Sequence, residues 1–149
     1  MVALAHKTKV LSLFIIILTF SAGTYVHASS LSLVHGSYRM LFEVDSTNSA
    51  EWDMTIGALA HIVKKIGSPP AHLEVLAWGP GLRMLLKHSA DSMEIAILEM
   101  RGVKFMACET SMYRLNINKK QLVTGVKVVS GGMTELMKLH NEGWAEVKM

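Results

Sequence analysis

The sequence predicts an α/β fold, a three-layer α/β/α sandwich around a five-stranded, mainly parallel sheet. Three observations carry this expectation. Five short apolar runs recur along the chain, the stretches between them place apolar residues at helical spacing, and each change of pattern is marked by Gly, Pro, Asn or Asp. Strands that alternate with helices imply βαβ units. A parallel sheet covered on both faces explains why its strands read as nearly continuous apolar runs.

The elements follow in order. Tyr38 to Val44 (YRMLFEV) is the first strand, closed by Asp45-Ser46. Asn48 and Glu51 then have capping-box spacing, and Trp52, Ile56, Leu59, Val63 and Ile66 recur along one side of a helix of about four turns. Gly67 stops it and Pro69-Pro70 forbids its continuation. His72 to Trp78 (HLEVLAW) is the second strand, ending in Gly79-Pro80-Gly81 and a short apolar helix around Leu82, Leu85 and Leu86. Asp91 and Glu94 repeat the cap spacing and open a helix with Met93, Ile97 and Met100 on one side and Gly102 at its end. Val103 to Cys108 is the third strand. Thr110 or Ser111 caps a short helix through Leu115, and Asn118 with Gln121 starts another turn. Val126 to Val129 is the fourth strand, Gly131-Gly132 a turn, Met133 to Glu142 a helix stopped by Gly143, and Trp144 to Lys148 the fifth strand.

Ahead of this domain, His6, Lys7 and Lys9 precede an apolar block from Val10 to Phe20, with small and polar residues after it. That is the layout of a secretory signal peptide, with cleavage expected after Ala28. The apolar core is short against the ~20 residues a membrane-spanning helix needs, which favours cleavage over the rival reading, an uncleaved membrane anchor; after cleavage no stable span is expected. The expected organisation is a signal peptide over 1–28, a short linker over 29–36 and one domain over 37–149, in a periplasmic or secreted protein. Removing residues 1–28 takes Lys7 and Lys9 away and leaves 13 Lys and Arg against 12 Asp and Glu, a net charge of +1. No basic run or basic-aromatic cluster remains, which argues against a nucleic-acid partner.

No metal or cofactor is expected. His35, His61, His72, His88 and His140 lack ligand spacing among themselves and with the cysteine. The methionines fall within strands and helices as apolar fillers, although thioethers suit Cu(I). Gly79-Pro80-Gly81 and Ser130-Gly131-Gly132 each precede a helix and could offer backbone donors to an anion. Neither matches a dinucleotide fingerprint or a P-loop, and tight turns explain the same glycines.

The single cysteine, Cys108, stands where the third strand gives way to polar residues. In an exported protein a lone thiol suggests an intermolecular bond, a reactive group or a buried inert one. In open α/β sheets ligands bind outside the carboxyl ends of the strands, near a topological switch point. Asp45, Trp78, Gly79, Gly81, Cys108, Glu109, Thr110, Ser111, Gly131 and Gly132 belong to that rim, which favours the reactive reading. A helix start beside Cys108 would favour its thiolate, whereas Glu109 would oppose it. Thr110 and Ser111 would be local donors to Cys108, with Gly79 to Gly81 as the opposite wall; Trp78 is most simply a large core or interface residue, the alternative being that it covers a pocket there. That chemistry needs Cys108 open to solvent.

The strand end FEVDS with Trp52 after it, WGPGLRMLLK at 78–87, GVKFMACETSM at 102–112, LNINKKQLVTGVKVVSGG at 115–132 and the closing EGWAEVK occur in an order and spacing that resemble the DsrE/DsrF-like family of sulfur-relay proteins. The resemblance covers Tyr38 to Met149. It implies a three-layer fold with five parallel strands, homo-oligomers (trimers or hexamers), and a cysteine that accepts and passes on sulfur as a persulfide, the position matched here by Cys108. It also implies a sulfur donor or acceptor protein as partner, and a sulfurtransferase-like activity. The chain departs from the family in its export signal and in Glu109-Thr110-Ser111, where an Asn before a Thr is expected. A non-catalytic assembly or binding module with an incidental thiol is the alternative.

Overall fold

Five strands form at the five predicted places in the computed structural model, which describes residues 38–66 and 71–149. They are β1 (Tyr38–Val44), β2 (Ala71–Ala77), β3 (Lys104–Cys108), β4 (Lys127–Val129) and β5 (Ala145–Lys148), and all four neighbouring pairs are parallel. Four α-helices accompany them: α1 (Ser49–Ile66), α2 (Ser92–Met100), α3 (Glu109–Arg114) and α4 (Gly132–Asn141). The expected signal peptide, linker and Gly67 to Pro70 stop lie outside the described residues. Among those residues no helix is long and apolar enough to cross a membrane.

The strand order is β4-β3-β2-β1-β5. Three crossovers therefore step in one direction, and the last returns past β1 to pair β5 on its far side. Because parallel crossovers are right-handed, steps in one direction put their helices on one face and the reversed step puts its helix on the other. The packing follows this rule. Ile56, Leu59 and Val63 of α1, Ile95 and Leu98 of α2 and Met112 of α3 join Phe42, Val44, Val75, Ala77, Phe105 and Ala107 in one core. Leu139 of α4 joins Leu41, Leu76, Met106 and Val129 in a second, smaller core on the opposite face. Full burial of each such Leu, Val, Phe or Met contributes about 1.5–3 kcal/mol.

Local chemistry fixes the ends of the elements. The Asn48 side chain accepts from Ala50 N–H at 3.1 Å and donates to Glu51 at 3.1 Å at the start of α1. Thr55 on its inner side is buried because its hydroxyl donates back to the Glu51 carbonyl. Asn118 and Gln121 complete a reciprocal capping box around the short 3-10 turn Lys119–Gln121. Gly102 and Gly143 end α2 and α4 at φ +91° and +79°, which the absence of a side chain permits.

Four expectations are corrected. The apolar segment after β2 is a 3-10 helix, Gly79–Leu85, in which Leu82, Met84 and Leu85 are buried. A Cβ on Gly81 would overlap the Val44 carbonyl, so this residue lets the segment press against the end of β1. Asp91 makes no side-chain capping bond to α2 and pairs with Ser89 instead. The expected Met93, Ile97 and Met100 side of α2 exists but faces outward, and Ile95 and Leu98 are buried in its place. Finally, α3 starts earlier than expected. Its cap residue is Cys108, and Thr110 and Ser111 lie inside the helix.

Candidate functional site

Cys108 ends β3 and begins α3, so its side chain sits where two kinds of structure meet. Its register partner is Val129, next to the loop that leads into α4. That loop brings Gly132, the first residue of α4, over the thiol, and the Gly132 N–H donates to Sγ at 3.1 Å. A Cβ on Gly132 would lie 3.4 Å from Cys108 Cβ, 3.5 Å from Sγ and 3.2 Å from Trp78 Cβ, so glycine allows this close approach.

Ser111 approaches from the other side. Its hydroxyl oxygen accepts the Gly79 N–H at 2.8 Å, which directs the hydroxyl proton away from Gly79 and toward the sulfur. Burial, the largest single influence, pushes the Cys108 thiol up, but the Ser111 hydroxyl and the backbone N–H groups of Ser111, Gly132 and Thr110 together outweigh it. The thiol is therefore held below its ordinary value. The Thr110 hydroxyl donates to the Ser130 carbonyl at 3.2 Å and ties α3 to the turn before α4.

Cys108 was expected to be open to solvent, and it is not: its residue is 3 % exposed. The start of α4 and the Ser111 side chain close over it, and both contacts come from residues that lie beyond β3 in the chain. The neighbours that close it are hydrogen-bond donors, so the sulfur is buried in a polar setting. Glu109, expected to oppose the thiolate, is exposed at the start of α3, and its side chain makes no hydrogen bond or ion pair within the described residues. Gly131 caps α4 in extended conformation without a side-chain bond, Gly79 donates its N–H to Ser111, and Gly81 packs against the Val44 carbonyl at the end of β1.

Asp45 belongs to a second group of side chains, which includes a residue that sequence reasoning missed. Strand order reverses between β1 and β5, and at that switch point Glu43 is 4 % exposed on the same face as Cys108. Its carboxylate accepts the Trp78 indole N–H at 2.8 Å and lies 3.6 Å from Lys148 Nζ. Lys148 also donates to Asp45 at 2.7 Å, and the Asp45 hydrogen bond followed by the Glu43 charge raises its pKa. A hydrogen bond to Glu43, together with burial and the Glu43 charge, raises the pKa of Glu146. Trp78 joins the two groups, with its indole on Glu43 and its Cβ beside Gly132. A lone Glu inside an apolar strand was the available signal. Among the described residues no cluster of three or more His, Cys, Asp or Glu is arranged to hold a metal.

The model of the DsrE/DsrF-like family matches residues 42–148. Among solved structures, the protein of unknown function MTH1491 from Methanobacterium thermoautotrophicum is 27 % identical, with a TM-score of 0.70 over 75 % of this chain and 99 % of that one. The ychN protein from E. coli is similar at 12 % identity and a TM-score of 0.63, over 75 % of this chain and 99 % of that one. BT1422 from Bacteroides thetaiotaomicron, a conserved protein of unknown function, is similar at 14 % identity and a TM-score of 0.62, over 74 % and 93 %. The last two likenesses are of fold alone. None of the curated proteins compared with the chain matches it. The matched span runs from β1 to β5 and includes Cys108, and the chain belongs to the DsrE/DsrF-like family.

Proposed function

We propose that the protein is a sulfur carrier, sulfurtransferase-like in its chemistry, in which Cys108 accepts sulfane sulfur and passes it on. The observation that carries this reading is the ring of donors around Sγ, Gly132 N–H at 3.1 Å and the Ser111 hydroxyl among them. Such donors stabilise a thiolate, and the thiolate is the nucleophile in sulfur exchange. The Cys108 thiolate attacks the outer sulfur of a donor persulfide RSSH and forms a new S–S bond. The donor S–S bond breaks, its electron pair leaves on RS⁻, and Cys108 becomes Cys–S–SH. The same exchange in reverse delivers sulfur to an acceptor thiolate, with a donor or acceptor protein as partner. We place the carrier in the periplasm or outside the cell, after cleavage near Ala28, as a homo-oligomer of trimeric or hexameric form.

The test is to incubate the protein with thiosulfate or polysulfide and measure its intact mass. The reading expects the mass of one added sulfur, absent from Cys108→Ala. No adduct from any sulfane donor would remove it. A second reading has an observation in its favour, since a thiol that is 3 % exposed also suits a non-catalytic assembly or binding module. That reading expects no labelling of Cys108 by a thiol reagent until denaturant is added.

A further inference from the structure

The α2 helix carries two apolar sides. Ile95 and Leu98 pack inward, while Met93, Ile97 and Met100 are 70 %, 41 % and 81 % exposed. The spacing of these three, at i, i+4 and i+7, aligns them in one stripe along the outer side of the helix. Isolated exposed apolar residues are ordinary, but a helix that is apolar on both sides is one that is covered on both sides.

The charges beside the stripe are ordered along the helix. Glu94 lies at its amino end and Arg101 just past its carboxyl end. Seven residues, or about two turns, separate them, so both flank the stripe on the same side. Burial first, then the charges of Asp53 and Glu94, push the Asp91 carboxyl up, so the acidic end is a cluster of three. Asp53 belongs to α1, where the neighbouring Met54 is 55 % exposed. Neither Glu94 nor Arg101 forms an ion pair within the described residues. A stripe flanked by acid at one end and base at the other complements itself in one orientation, antiparallel to its own copy.

We propose that the outer side of α2 is a self-association surface whose occupant is α2 of a second copy of this chain, related by a two-fold axis beside Ile97. Each Glu94 then faces Arg101 of the other copy, and the two Ile97 side chains meet at the axis. A contact of this kind is isologous: it closes on itself and generates even-numbered assemblies. Of the two assemblies proposed above it fits the hexamer and excludes the simple trimer. The surface is independent of Cys108, so the two proposals fail separately.

The experiment is sedimentation of the full chain, purified after any processing of its own amino terminus, beside Ile97→Asp, Glu94→Arg, Arg101→Glu and the Glu94→Arg/Arg101→Glu double variant. Circular dichroism checks each fold. Wild type should form an even-numbered assembly, and Ile97→Asp should reduce it to half its mass or less. Each single charge reversal should weaken association about tenfold or more, and the double reversal should restore it. In a Cys108→Ala background, Ile97→Cys should form a disulfide between chains under mild oxidation. A monomer at every concentration overturns the proposal. So does a trimer, an assembly that Ile97→Asp leaves intact, or a double reversal that fails to rescue.

Discussion

The two faces of the sheet are built from the same strands and differ in almost every other respect. Among the described residues, 21 buried apolar residues form the core on the face covered by α1, α2 and α3, and five form the core under α4. On the first face the strands present Phe42, Val44, Val75, Ala77, Phe105 and Ala107. On the second, Leu41, Leu76 and Met106 alternate in register with Glu43, Glu74, Lys104, Lys127, Glu146 and Lys148. The buried Trp144 indole N–H, without a hydrogen-bond partner among the described residues, is on that side as well. Strand order alone produces this division, since one reversed crossover supplies one helix. The first face stores stability, whereas the second is thinly covered and carries Cys108, Glu43 and their donors.

The most severe test of that contrast is Phe105→Ala. Phe105 is 1 % exposed in the larger core, and its loss should destabilise the fold by about 3–5 kcal/mol in urea unfolding. A change below about 1 kcal/mol would mean that this face is not where stability resides.

On the α4 face the comparable experiment is Glu43→Ala. It leaves the Trp78 indole N–H without its acceptor, and a loss of about 1–3 kcal/mol is expected. Glu43→Gln keeps an acceptor and should lose less. Equal losses would show that the charge matters more than the hydrogen bond.

A smaller effect should appear in the pH dependence of stability. The folded Cys108 thiol lies below its unfolded value near ~8.5, so its contribution is fully present above that pH and is lost as pH falls through the folded value. Between those two values wild type should gain stability with rising pH relative to Cys108→Ala. Parallel curves through that window would refute the thiolate. Least of all should come from Lys104→Ala. Its ion pair with Glu74, at 2.9 Å, has an exposed lysine, and the loss should stay under about 1 kcal/mol in the same unfolding assay.

The sequence made the elements legible wherever their cause is local. The Asn48 and Glu51 spacing, the strand YRMLFEV and the glycines after α2 and α4 all act within a few residues, and each fell where expected. What depends on distant partners was not legible. Cys108 looked exposed because its cover, the Gly132 N–H, comes from 24 residues further on. Glu43 was invisible as a site because its partners are Trp78, 35 residues away, and the far edge strand β5. The outward side of α2 shows the converse, since apolar periodicity identifies a stripe without saying what covers it.

The central claim is that Gly132, Thr110 and Ser111 favour the thiolate of the buried Cys108, and the proposed sulfur transfer requires that a small reagent reach it. The most direct test is the pH profile of alkylation of the folded protein by a small reagent such as iodoacetamide. The account predicts reaction without denaturant, with a midpoint below ~8.5 that moves upward in Ser111→Ala. Alkylation that waits for unfolding, or a midpoint at or above the free-thiol value that Ser111→Ala leaves in place, would contradict it.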